Sequence, residues 1–218
     1  MRQVTQEGPG QSPSTVAAKR ALRAALRARR RAVVAARDLA KDASALARHV
    51  LDLAEDTGAR QSADDEGGPL ALSYESLPHE PPTGELNRAL VAAGWRVLVP
   101  LTLPDLDLDW CDVTDPERTP LGLDAPSRAD LALVPGLAAD PFGTRLGQGG
   151  GSYDRALARL SPPAPVVLLL HPGERTDEPL PAEPHDRSVS AVLTVEGVTP
   201  SWARGRARRP SPPGRPTR

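Results

Sequence analysis

Apolar residues fall along this chain in two rhythms. Between Val16 and Asp56, Ala, Leu and Val recur at helical spacing with no Gly or Pro, which predicts one long helix, or two with a break near Arg37–Asp38. At about 100° per residue, Leu22, Leu26 and Val33 share one narrow stripe, and Lys19, Arg23 and Arg30 occupy the stripe beside it. Such a helix packs through one edge and presents a cationic ridge next to the contact; a merely solvated arginine face is the plainer reading. Beyond an acidic loop at Gly58–Pro69 the rhythm changes to short apolar runs. Strands are expected at Leu70–Tyr74, at Arg96–Val99 closed by Pro100, at Leu131–Val134 closed by Pro135-Gly136, at Val166–Leu170 and at Ala191–Thr194. Val166–Leu170 is continuously apolar and therefore central. Thr83–Ala93 is expected as a helix capped by Thr83, with Leu86, Leu90 and Ala93 on one face and Gly94 ending it. Strands separated by helices and long loops define an α/β domain over residues 16–203, with a mainly parallel sheet flanked by helices in three layers. Ligands are expected at the carboxyl edge of such a sheet.

Composition narrows the picture. Aromatic residues make up only 3% of the 218-residue chain, so the core must rest on Leu, Val and Ala. Gly and Pro number 18 and 25, which implies long ordered loops or loose tails. No apolar run approaches the roughly 18 residues of a membrane span. Met1–Thr15 is polar and carries no signal-peptide pattern, and a single cysteine, Cys111, excludes an internal disulfide. A cytoplasmic protein is expected.

The formal net charge of -1 hides an asymmetry. Ten Lys/Arg and two acids lie between Val16 and Arg48, whereas His49–Ala203 holds ten basic and twenty-five acidic residues. Arg204–Arg218 carries six Arg and no acid. The end segments 1–15 and 204–218 are expected to be disordered. Without aromatic interleaving, the basic tail is a weak nucleic-acid signal. Cys111 has no histidine at a suggestive position, and the four scattered His show no zinc-ligand spacing.

The segment Leu131–Leu160 carries the chemistry. A strand runs into Pro135-Gly136, and five glycines (Gly143, Gly147, Gly149, Gly150 and Gly151) then fall within nine residues before a helix pattern. Glycine is costly to order, and such a density suits a backbone that must approach a bulky anion with several N–H groups. The helix near Ser152 would add its positive end, Arg145 a bidentate phosphate contact, and Asp154 a ligand for magnesium. The loop lacks the Gly-Lys-Ser/Thr ending of a Walker A motif and the dinucleotide fingerprint. Phosphate binding is the sharper reading; a glycine-rich turn whose Asp154 merely caps a helix is the alternative.

This segment resembles the signature of the 5-formyltetrahydrofolate cyclo-ligases, also called methenyltetrahydrofolate synthetases. Pro135, Gly136, Ala138 and Asp140, then Arg145, Leu146, Gly147, Gly149, Gly151, Tyr153 and Asp154 meet the pattern. Upstream, Lys19, Arg23 and Arg30, Tyr74, and Glu80 with Thr83 resemble further family elements. Downstream, so do His171, Gly173 and Glu174, and the run Leu180–Asp186. Gln148 departs where the family often has a basic or aromatic residue, Ser152 where it has a second Tyr, and Ala139 where an aromatic is frequent.

The resemblance implies a three-layer, Rossmann-like fold and an ATP- and Mg2+-dependent cyclisation of 5-formyltetrahydrofolate to 5,10-methenyltetrahydrofolate, with release of ADP and phosphate. It assigns ATP to Lys19, Arg23, Arg145, Gly147, Gly149, Gly150 and Gly151, and magnesium to Asp154. Folate falls to Glu80 and Tyr153, and catalysis to Arg145, Asp154 and Glu80; Tyr74 and Trp110 are further candidates for the folate pocket, with a core or rim aromatic as the equal alternative for each. A monomer is expected, with no membrane partner. Alternatives are a folate- or nucleotide-binding paralogue without turnover, another phosphate-ligand enzyme and, more weakly, a nucleic-acid-binding module.

Overall fold

Asp38 divides the arginine-rich segment. Its side chain accepts a hydrogen bond from the Lys41 N–H and caps the second of two helices, α1 (Pro13–Ala35) and α2 (Leu39–Asp56), satisfying a donor the helix start would otherwise leave open. The computed structural model describes residues 13–57, 68–161, 164–183 and 186–201. Residues 1–12, the tail 204–218, most of the acidic loop and His185 lie outside the described residues. α1 begins at Pro13, inside the segment expected to be a tail.

The chain then runs through β1 (Leu70–Leu72), α3 (Gly84–Ala92), β2 (Arg96–Thr102), β3 (Leu108–Asp112), β4 (Leu131–Pro135), β5 (Ala138–Ala139), β6 (Arg145–Leu146), α4 (Ser152–Ala158), β7 (Val166–Leu169), β8 (Ala191–Thr194) and β9 (Gly197–Pro200). Seven strands form one sheet in the order β3-β2-β1-β4-β7-β8-β9, and β5 and β6 form a small separate ribbon. The five inner strands are parallel, with Leu72 opposite both Leu98 and Ala132, and Leu168 opposite both Val134 and Val192. The edge strands β3 and β9 are antiparallel to their neighbours.

Two expectations change. Pro100 does not close its strand, because β2 continues to Thr102. Pairing of β2 with β1 ends at Leu98, so beyond it the proline, which has no N–H to give, faces no ladder partner on that side. Thr83 precedes α3, but its hydroxyl donates to Tyr74 O at 2.6 Å instead of capping the helix. That bond ties the start of α3 to the loop after β1.

Successive strand residues point to opposite faces, and the core divides accordingly. Leu131, Leu133, Val167, Leu169 and Leu193 pack against Leu46 and Val50 of α2 and Leu86 and Leu90 of α3. Ala132, Val134, Leu168 and Val192 pack with Trp110 against Ala156 and Leu157 of α4. α1 stands apart from both layers. Its Leu22 and Leu26 are only half-buried, resting on Ala138 and Leu146 of the β5–β6 ribbon and on Leu180. The fully buried side chains of α1 are instead Lys19 and Arg30, so ion pairs as well as apolar contact seat this helix.

Candidate functional site

The strand order places a switch point between β1 and β4: the chain leaves β1 toward β2 on one side, while β4 lies on the other. In an open α/β sheet a crevice forms outside the carboxyl ends of such a strand pair. Here it is a cleft of about 300 Å3. The loop after β1 brings Tyr74 and Glu80 to it, the loop after β4 brings Arg145 and Gly147–Asp154, and α1 brings Lys19 and Arg23. Segments far apart in sequence thus meet in one place.

Arg145 is buried, and its Nη2 donates to Asp154 Oδ1 at 2.7 Å and its Nη1 to Pro135 O at 3.3 Å. Its guanidinium lies 5.9 Å from the centre of the Tyr153 ring, within cation–π range. Gly147 permits this placement, since a Cβ there would stand 2.9 Å from Arg145 Nη1. Gly149 turns the loop at φ +117°, backbone that side chains rarely adopt. α4 is only two turns long, so its dipole adds less than the sequence pattern implied.

The cations of α1 are held as well. Lys19 Nζ lies 2.8 Å from both Glu183 Oε2 and Asp186 Oδ2. Burial alone would lower the Lys19 pKa, but the bonds to Asp186 and Glu183 outweigh it and raise it. Arg23 Nε donates to Gly147 O at 3.0 Å, and Arg27 donates to the side chain and carbonyl of Gln148 at 3.1 and 2.6 Å. Two arginines of α1 therefore hold the glycine loop by its carbonyls. Arg30 lies deeper and does not line the cleft; it pairs with Glu174 and with Gly136 O.

Glu80 is buried, with Oε2 accepting from the Leu77 N–H at 3.0 Å and Oε1 3.4 Å from Gln148 Nε2. Tyr74 and Tyr153 flank it. Desolvation, followed by the Glu80 charge, pushes both tyrosine hydroxyls above their usual pKa, which keeps them neutral donors. Tyr74 Oη and Arg145 Nε are buried without a partner among the described residues. A bound ligand with acceptor atoms would satisfy both.

Trp110 is corrected. It is 1% exposed in the core beneath β2 and does not line the cleft, because its alternate position on β3 points it into the layer shared with α4. His171 is buried and held neutral by desolvation, with Nε2 3.3 Å from His79 O, away from the cleft. Sequence reasoning missed three participants. Glu183 and Asp186 as partners of Lys19 were discernible only as part of the downstream run, and Arg27 looked like one more exposed arginine of α1.

Among the described residues no three His, Cys, Asp or Glu side chains converge as a metal site. Magnesium nonetheless fits in the way it commonly binds, through one or two carboxylates completed by substrate phosphates. Asp154 lines the cleft with a 23% exposed side chain, and its hydrogen bonds from Arg145 and the Arg187 N–H both fall on Oδ1.

Fold and cleft together define an open-sheet α/β protein whose candidate site lies at the carboxyl edge. A family model described as the 5-formyltetrahydrofolate cyclo-ligase family matches residues 15–195, and the chain belongs to that family. A 5-formyltetrahydrofolate cyclo-ligase of Mycolicibacterium smegmatis is 34% identical over 144 residues, spanning 58% of this chain and 74% of that protein. A mitochondrial 5-formyltetrahydrofolate cyclo-ligase of Arabidopsis thaliana is 38% identical over 87 residues, 36% of this chain and 31% of that one. The fold is shared with the 5,10-methenyltetrahydrofolate synthetases of Mycoplasma pneumoniae (TM-score 0.62, 19% identity, 82% of this chain and 99% of that one) and Aquifex aeolicus (TM-score 0.64, 20% identity, 88% and 97%). No described helix is long and apolar enough to cross a membrane.

Proposed function

We propose that the cleft converts 5-formyltetrahydrofolate and ATP to 5,10-methenyltetrahydrofolate, ADP and phosphate. The formyl oxygen is a poor leaving group. Attack by that oxygen on the γ-phosphorus, with departure of ADP, leaves an N-formyl phosphate of iminium character. The neighbouring folate nitrogen then adds to the formyl carbon and gives up its proton. Loss of phosphate completes the methenyl bridge.

Charge spreads over the transferring phosphoryl group, so the protein must supply cations and N–H donors in a fixed arrangement. Arg145 fills that need, steadied by Tyr153, with the backbone of Gly147–Gly151 about the phosphates. Arg23 adds positive charge from α1, and Lys19 would reach the phosphates by exchanging Glu183 and Asp186 for them. Asp154 would hold magnesium, which when bound neutralises phosphate charge. Glu80 and the neutral hydroxyls of Tyr74 and Tyr153 would orient the folate by hydrogen bonds.

The observation that carries this reading is the meeting of Glu80 with the Arg145–Asp154 loop and Lys19 in one cleft. It is tested by following methenyltetrahydrofolate absorbance with and without ATP. Product formation that requires ATP and yields one ADP per methenyl group is expected; product without ATP would overturn the phosphoryl step. A second reading, a folate binder without turnover, is favoured by one feature: Arg145 and Lys19 are both satisfied by internal carboxylates. Tight folate binding with no ADP release would establish it.

A further inference from the structure

The centre of the glycine loop carries a side chain that the proposed chemistry does not use. Gln148 is exposed, yet both ends of its amide are engaged. Arg27 Nε donates to Oε1 at 3.1 Å, and Nε2 faces Glu80 Oε1 at 3.4 Å. Only one orientation of the amide suits both neighbours: the guanidinium must meet the carbonyl oxygen and the carboxylate must meet the NH2. Arg27 also donates to the Gln148 main-chain carbonyl at 2.6 Å, which anchors the residue to α1 by backbone as well as side chain. The other oxygen of Glu80 is fixed within its own loop by the Leu77 N–H. The Gln148 amide is thus the described bond that crosses from the loop after β4 to the loop after β1.

We propose that Gln148 is a positioning residue. Pinned by Arg27, it orients the Glu80 carboxylate, so the state of the nucleotide loop is passed to the side chain that meets the folate. The inference rests on the folate role of Glu80 proposed above. It follows that the two substrates bind with positive coupling: a phosphate ligand that orders Gly147–Gly151 also orders the Gln148 amide and hence Glu80. Each ligand must raise the affinity of the other by the same factor.

The test measures 5-formyltetrahydrofolate binding alone and with a non-hydrolysable ATP analogue and Mg2+. The wild-type protein is expected to bind folate roughly fivefold or more tightly with the analogue present. Gln148→Ala should bring that ratio close to one and raise the folate KM more than it lowers kcat, with an unchanged unfolding transition because the side chain is exposed. Arg27→Ala should reduce the same ratio, and Arg27→Ala with Gln148→Ala should do no more than Gln148→Ala alone. Gln148→Glu places a second carboxylate beside Glu80 and should move the acid limb of the turnover profile to higher pH, a signature that a merely structural side chain would not give. A wild-type ratio of one, or a wild-type ratio retained in Gln148→Ala, overturns the inference. Glu80→Gln separates the two claims. Impaired folate binding in Glu80→Gln with wild-type behaviour in Gln148→Ala removes only the link, whereas wild-type folate binding in Glu80→Gln removes the folate role of Glu80 and the link with it.

Discussion

Two arginines are anchored at the end of β4, and they are held differently. Arg30 donates to Gly136 O and grips both oxygens of Glu174, each contact at 2.6 Å, with the two paired side chains only 3% exposed. Arg145 donates to the adjacent carbonyl, Pro135 O, but reaches one oxygen of Asp154, whose side chain is 23% exposed and lines the cleft. The chemistry of the two pairs is the same and their surroundings are not. A sealed bidentate pair has no route to another partner, and breaking it strands a buried charge. An open pair with a single contact can exchange its carboxylate for a phosphate when one arrives. The first arrangement seats α1 against the sheet; the second leaves a cation facing the cleft, where the proposed phosphate site needs one.

The sealed pair should carry the larger share of stability. Glu174→Ala leaves Arg30 buried without its carboxylate and removes the acceptor of the His171 N–H. It should lower the unfolding free energy by about 3–5 kcal/mol in urea titration; a loss below about 1 kcal/mol would show that the pair does not anchor α1. Next in size is the open pair, read as activity. Arg145→Ala should lower turnover by about a hundredfold or more, while costing about 1–3 kcal/mol of stability for its lost hydrogen bonds. Asp154→Asn keeps an acceptor for Arg145 but loses the charge, so turnover should fall and its magnesium requirement rise, with unfolding close to wild type. Wild-type turnover in both variants would remove the ligand role from this pair.

The difference between the pairs was only partly legible in the sequence. Periodicity put Lys19, Arg23 and Arg30 beside an apolar stripe, but it could not say that Arg30 finds Glu174 while Lys19 finds Glu183 and Asp186, since those partners lie 144 or more residues away. The inner strands were readable because Leu131–Pro135 and Val166–Leu169 are buried on both faces and hence continuously apolar. The edge strands were not. Leu108–Asp112 interleaves acids with its apolar residues, and Gly197–Pro200 contains both Gly and Pro, as strands with one open side allow. The Gly/Arg/Asp frame of the cleft was legible because its residues lie close together in sequence. Trp110 was misplaced because an aromatic residue gives no sign of which sheet face it occupies until the register of β3 is known.

A third arginine–carboxylate pair lies nearer the surface and should matter least. Arg159 donates to both oxygens of Asp107 at 2.9 and 2.6 Å, joining the end of α4 to the β2–β3 turn. Neither residue lines the cleft. The Arg159 hydrogen bonds hold the Asp107 carboxyl at about 2, against an ordinary value of 3.8. A carboxylate whose pKa is depressed by folding contributes stability that is fully present above the ordinary value and is lost as pH falls through the depressed one. Thermal unfolding of Asp107→Asn beside the wild type should therefore show a constant deficit of about 1 kcal/mol above pH 5, closing between about pH 4 and pH 2 as the wild type loses the same interaction. Turnover should stay within about twofold of wild type, as for surface changes away from a site. A deficit that persists at pH 2 would mean that Asp107 acts through packing and not charge, and a large loss of turnover would extend the proposed site to the end of α4.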